Sequence, residues 1–219
     1  MPAVVFEPAL FIDFDGVLVD SNSIKVDAFF DVASRFFDAP AAIELVDYHL
    51  RNPGDSRFAK FAWLIDNHHK QGHLVKSDQL VKAFSATVLS KVQSVDRCPN
   101  LARLIIRTKM TPHILSAAPT DEISYLVDLF GWRSVFESRI HGSPDKKADH
   151  LGELGSSIDF RNSIFVGDAS TDYQVAQQFG IPFVFVENWS EWNPNAALRQ
   201  RFHGTWPTLE DYLCSNWRS

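Results

Sequence analysis

The first clear pattern in the chain is a block of consecutive apolar residues, "ALFI" at 9–12, with neither helical nor alternating periodicity. A short run that is apolar on every side predicts a parallel strand buried on both faces. It stops abruptly at two acids, Asp13 and Asp15, with Gly16 behind them. Ser23 then predicts a cap for a helix starting near Ile24. From there to about residue 95 apolar residues recur at helical spacing. Ile24, Ala28, Phe29, Val32, Ala33 and Phe36 make one stripe. Phe58, Phe61, Ala62 and Ile65 make a second, and Leu80, Val81, Phe84, Val88 and Val92 a third. "APAA" and "RNPGDS" interrupt the stretch as loops.

Beyond "CPN" at 98–100 the texture changes to strand and helix in alternation. "PHILSA", "SIFVGD" and "IPFVFVEN" read as strands. "LARLIIRTK", "TDEISYLVDLFG", the segment from about Lys146 to Gly155 and "TDYQVAQQFG" read as helices, with Thr120 as a cap and Gly131 as a stop. "TLEDYL" at 208–213 predicts a short closing helix, and the late tryptophans Trp189, Trp192, Trp206 and Trp217 predict a tail packed on its own domain. Alternation of this kind predicts an α/β fold with a doubly wound parallel sheet. The expected organisation is an α/β core from residues 1–21 and 98–219, with an all-helical insert at 22–97.

Composition narrows the setting. The 219 residues are 45% hydrophobic and 22% charged, enough apolar material for a packed core. A net charge of −6 argues against a general nucleic-acid or anionic-membrane surface. No apolar run approaches the roughly 20 residues of a membrane helix, and "MPAVVFEPALFID" lacks the basic start of a secretory signal. Cys98 and Cys214 have no metal-ligand spacing and form no disulfide framework. The expectation is a cytoplasmic protein, monomer or homodimer, without nucleic-acid or membrane partners.

Ligands of open α/β sheets bind beyond the carboxyl ends of the strands. Four polar features are predicted at such ends: Asp13 with Asp15, Ser116 after "HIL", the pair Lys146–Lys147 before a helix, and Asp168 with Asp172 after "SIFVG". Clustered carboxylates raise one another's pKa values, a penalty that a hard, oxygen-seeking cation such as Mg²⁺ removes. A carboxylate can form an aspartyl-phosphate, a second acid can move protons, and lysine and serine can hold a transferring phosphoryl group. The set therefore suits phosphoryl transfer.

These residues, in this order, resemble the haloacid dehalogenase-like hydrolase superfamily. The likeness is to its helical-cap branch, which includes phosphoglycolate phosphatase and β-phosphoglucomutase-like members. D-x-D-G-[VT] matches Asp13 to Val17, a strand-ending Ser or Thr matches Ser116, a lysine near a helix start lies in "GSPDKKADHL", and G-D-x-x-x-D matches Gly167, Asp168 and Asp172. The resemblance implies a Rossmann-like core with an inserted helical cap that closes over the site, excluding water and selecting substrate. It implies a Mg²⁺-dependent phosphatase acting on a small phosphorylated metabolite, or alternatively a sugar phosphomutase sharing the same intermediate. By the same resemblance Asp13 is nucleophile and metal ligand. Asp15 is general acid/base and offers the metal its backbone carbonyl. Asp168 ligates the metal directly, and Asp172 does so directly or through water. Ser116, with Ala117 beside it, binds the phosphoryl oxygens. A lysine pairs with them and with the nucleophile; Lys147 is preferred over Lys146 because Leu151, four residues later, would anchor its helix.

Members that cleave carbon–halogen bonds usually carry another residue in place of the second acid, so Asp15 points to phosphate esters. In the insert, Gly54, Ser56 and Arg57 resemble the G-x-S-R segment of sugar-phosphate mutases and related phosphatases, where the arginine grips a distal anionic group of the substrate. An exposed arginine at a helix start is the equal alternative, and Lys60, one turn on, is a weaker candidate. His68, His69 and His73 in "NHHKQGH" read as a solvated loop, because adjacent histidines point apart on a helix.

Overall fold

A computed structural model describes residues 6–53, 55–68 and 75–217. The chain divides into two compact units, one of residues 1–19 with 97–219 and one of residues 20–96.

The first unit is built on β1 (Ala9–Ile12), every residue of which is buried. It lies between β2 (Thr111–Pro119) and β4 (Ile164–Gly167), with Phe11 opposite both His113 and Phe165. The complete sheet is parallel, in the order β3-β2-β1-β4-β5-β6, where β3 is Ile140–Ser143, β5 is Phe183–Val186 and β6 is Gly204–Trp206. The chain winds outward from β1 to β3 and returns to lay β4, β5 and β6 on the other side. The crevice at the carboxyl ends of β1 and β4 is thus the topological switch point, where open α/β sheets bind their ligands.

Helices α5 (Leu101–Thr108), α6 (Thr120–Leu129), α7 (Arg133–Phe136), α8 (Lys147–Leu154), α9 (Ser170–Gln178), α10 (Ala196–Arg199) and α11 (Leu209–Asn216) accompany the sheet. Phe11, Phe165, Phe183, Phe185 and Phe202 share one core cluster, with Trp192 packed against it. Trp206 and Trp217 both pack against Tyr212 of α11, one tilted and one edge-on, which ties down the aromatic tail.

The second unit contains α1 (Asn22–Ala33), α2 (Ala39–Arg51), α3 (Arg57–His68) and α4 (Ser77–Val92). Phe29, Phe61 and Phe84 form its aromatic centre, with ring centroids 4.3–5.9 Å apart. Small residues on α1 and α2, Ala28, Ala33, Ala41 and Ala42, are fully or almost fully buried, which suits close helix packing.

Two expectations shift. The first helix starts at Asn22 after Ser21, two residues earlier than a Ser23 cap would place it, because Lys25 N–H already bonds to Ser21 O. Thr120 is inside α6 rather than capping it. Its hydroxyl accepts the Gly142 N–H of β3 instead, at 3.0 Å.

Candidate active site

Asp13 leaves the end of β1 with its N–H still bonded to Val166 O of β4, at 3.0 Å. The ladder therefore fixes the residue at the switch point, where it is buried. The chain then folds back at once. Gly16, at φ +77°, donates to Val19 O, and Leu18 and Val19 both donate to Phe14 O. Only glycine adopts that φ without strain, and the turn keeps the half-buried Asp15 beside β1.

Asp168 follows β4 directly and Asp172 occupies the first turn of α9, where the helix dipole favours an acid. Carboxylate oxygens of Asp13, Asp168 and Asp172 lie within 4.8 Å of one another, and all three residues are buried. Lys147, the first residue of α8, bridges two of them. Its ammonium lies 2.9 Å from Asp13 Oδ1 and 2.6 Å from Asp172 Oδ1. Asp172 Oδ2 accepts the Ala169 N–H at 3.1 Å, so both of its oxygens are engaged. Lys146 is exposed at the N-cap and does not join this group.

Gly167 makes the cluster possible. A Cβ on it would lie 2.5 Å from Asp172 Cβ and 2.7 Å from Oδ2. Gly167→Ala is expected to destabilise the protein by about 1–3 kcal/mol in urea unfolding, the usual cost of overpacking a fixed core. A loss below about 0.5 kcal/mol, the range of a neutral surface change, would show that Asp172 moves aside freely.

Ser116 is buried near the end of β2, two positions beyond the Ile12–Ile114 pair. Its Oγ accepts the Ala118 N–H at 3.0 Å, and Ala117 between them is exposed. In the helical unit, Arg57 is buried rather than exposed. It donates to Ser85 Oγ at 2.7 Å and lies 4.8 Å from the Phe84 ring centroid. Lys60 is buried too, 2.8 Å from His49 Nδ1 and over Phe29. His68 pairs with Glu44 at 3.1 Å. Gly54, His69 and His73 lie outside the described residues.

The electrostatics follow from three buried acids gathered at one place, two of which share one ammonium. Burial and then Asp172 push the Asp13 carboxyl up to about 7; Lys147 opposes them and Asp15 adds to the rise. Burial works to lower the Lys147 ammonium, but Asp13 and Asp172 outweigh it and hold that group above its ordinary value. The donors are all carboxylate oxygens, and their spread is close to the roughly 4 Å that spans an octahedral Mg²⁺ from ligand to opposite ligand. The cluster thus fits a hard divalent cation, which would relieve the repulsion that burial aggravates.

One supporting residue carries no sequence signal. Ser190, a lone serine in "NWSEW", donates through Oγ to Asp168 O and accepts the Trp192 N–H at 3.0 Å. Trp192 is itself packed on Phe185 and Phe202, so the loop after β5 pins the backbone at Asp168.

Comparison with known proteins agrees with this architecture. No curated protein sequence matches the chain. Among solved structures, CbbY from Rhodobacter sphaeroides in complex with phosphate superposes with a TM-score of 0.69 at 15% identity, over 94% of this chain and 96% of its own. A haloacid dehalogenase-like family hydrolase from Streptococcus pneumoniae gives 0.63 at 19% identity, over 91% and 93%. A hydrolase of family IA, variant 3, from Entamoeba histolytica gives 0.70 at 11%, over 95% and 100%. At these identities the likeness is one of fold. The sequence itself matches the haloacid dehalogenase-like hydrolase model over residues 10–186, from β1 through β5, and the chain belongs to that family.

Proposed function

We propose that the protein is a Mg²⁺-dependent phosphatase that hydrolyses a small phosphorylated metabolite through an aspartyl-phosphate on Asp13, acting in the cytoplasm as a monomer or homodimer. The observation that carries this reading is the Lys147 ammonium held between Asp13 and Asp172 among buried carboxylates at the switch point. A salt bridge alone needs one acid. Here a second acid, Asp172, shares the ammonium and a third, Asp168, lies buried beside both carboxylates, at a cost in repulsion that a phosphoryl-transfer site offsets when its cation binds.

Asp13 and Asp168 would hold the Mg²⁺ by their side chains and Asp15 by its carbonyl, with Asp172 serving directly or through water. When bound, the cation neutralises phosphate charge so that an anionic carboxylate can approach it. Asp13 attacks phosphorus, the ester P–O bond breaks, and the Asp15 carboxyl gives its proton to the leaving oxygen. The Asp15 carboxylate next takes a proton from water, whose oxygen attacks phosphorus, and the bond to Asp13 breaks to release phosphate. Lys147 and Ser116 orient the phosphoryl oxygens, with Ala117 alongside.

A panel of phosphorylated metabolites, screened for phosphate release with Mg²⁺ and with a chelator, tests the reading. Release that depends on Mg²⁺ is expected for at least one member. No release from any sugar phosphate, phosphorylated acid or nucleotide would overturn it. Conversion to a rearranged sugar phosphate without stoichiometric free phosphate would assign a phosphomutase instead.

A further inference from the structure

Three histidines stand in a column that none of these steps uses: His113 on β2, His141 on β3 and His150 on α8. His113 Nδ1 is 3.1 Å from His141 Nε2, with the two rings 14° from parallel. The His150 ring centroid is 5.2 Å from that of His141. His150 Nε2 lies 3.0 Å from Gly142 O. A carbonyl only accepts, so this nitrogen carries the proton and donates.

The two inner rings, His113 and His141, are uncharged at neutral pH. Burial, then His141 and Arg139, hold the His113 imidazole down to about 3, and burial with His150 holds His141 down to about 4. The charge of Arg139 is turned to Pro112 O, Val135 O and the Glu137 carboxylate. One proton serves the His113–His141 contact between two neutral, nearly parallel rings.

The anchor that His150 grips is itself immobile. Gly142 N–H donates to Thr120 Oγ1 at 3.0 Å, and a Cβ on Gly142 would lie 2.4 Å from Ala118 O. β3 is therefore pressed against the end of β2 just past Ser116. By contrast α8 is a short helix that fully buries only Leu151, with Leu154 packed beside it on the same cluster. With so little apolar contact, its roll about its axis is left to polar contacts at either side, the Lys147 ion pairs and the His150 bond. His150 stands three residues after Lys147, on a neighbouring position one turn along the helix.

We propose that His150 is a positioning residue, whose bond from Nε2–H to Gly142 O fixes the roll of α8 and so holds the Lys147 ammonium between Asp13 and Asp172. The proposal rests on the role of Lys147 given above. It deepens that reading by assigning the lysine's placement to a side chain outside the site.

His150→Ala and His150→Gln, the latter keeping an N–H donor at similar reach, test it on the full chain. For His150→Ala, kcat is expected to fall about 10- to 100-fold, the range set by a misplacement of order 1 Å, with KM changed less. His150→Gln is expected to recover most of the loss. In parallel, acetylation of Lys147 by acetic anhydride is read by peptide mass spectrometry against the exposed Lys146. Labelling of Lys147 should rise several-fold in His150→Ala and return towards wild type in His150→Gln. Unchanged kcat and labelling in His150→Ala, or equal impairment in both variants, would overturn the proposal. Labelling needs no turnover. A chain without phosphatase activity would therefore defeat the proposed reaction, while the labelling ratio still decides the role of His150.

Discussion

Replacing Asp13 with asparagine is expected to reduce phosphate release by about 10³-fold or more, as removal of a covalent nucleophile does, while making the metal-free protein more stable at neutral pH. The two effects share one cause. Asp13 is buried, faces Asp172 and shares the Lys147 ammonium with it as counter-charge. Asparagine keeps the shape and an oxygen for Lys147 but removes both the nucleophile and the surplus negative charge. The sign of the stability effect follows from linkage. An aspartate raised to about 7 keeps its proton in the folded chain up to that pH, whereas the unfolded chain releases it near the ordinary value of 3.8. Between those values the unfolded state binds fewer protons, so stability falls as pH rises and then levels off above about 7. Asparagine has no such titration. In a chelator, the melting temperature of Asp13→Asn relative to wild type should therefore climb from pH 4 to pH 7 and stay constant beyond. A difference that is flat across this window would show that the Asp13 charge is not under strain. Retention of full activity would remove Asp13 from the chemistry.

What could be read in the sequence follows from what each segment buries. β1, β4 and β5 are buried along their whole length, and continuous apolar runs announce such strands. β6 is three half-buried residues, too short to show a period of any kind. Between Lys146 and Lys147 composition offers no choice. The phase of α8 makes the choice, because the helix begins at Lys147 and leaves Lys146 exposed before it. Arg57 and Lys60 show the limit of hydropathy: two charged residues on α3 are buried because Phe84 with Ser85, and Phe29 with His49, receive them. Ser190 and His150 bond to backbone carbonyls 22 and 8 positions away, and no helix or strand period encodes either contact. The motif glycines lie between these cases. Gly167 is visible as a letter of G-D-x-x-x-D, but the reason for it, the absent Cβ that lets Asp172 in, appears only in three dimensions.

Lys147→Met should separate the structural duty of this ammonium from its chemical one. Methionine has nearly the same length and flexibility, so packing is largely preserved and the charge is what is lost. Asp13 and Asp172 then face each other in a buried site with no cation between them, and breaking a buried pair in this way costs about 3–5 kcal/mol. The loss should depend on pH in a defined direction. Unpaired buried carboxylates bind protons more tightly than the unfolded chain does, so the variant is least affected near pH 4 and progressively worse as pH rises. Mg²⁺ should restore part of the stability at pH 8 and little at pH 4, because the cation supplies the missing charge only where the carboxylates are ionised. Activity should not return with it. A positioned donor on the transferring phosphoryl group is worth about 10²–10³-fold in rate, and a cation held by the carboxylates would not replace that donor. Lys146→Met, exposed at the N-cap, is the control and should stay within about 0.5 kcal/mol of wild type. Urea unfolding at several pH values, with and without Mg²⁺, gives all of these quantities. If Lys147→Met were as stable as Lys146→Met at pH 8, the ammonium would not be what holds the acids together. If Mg²⁺ restored its turnover as well as its stability, the lysine would be a structural counter-charge and not a phosphoryl-binding group.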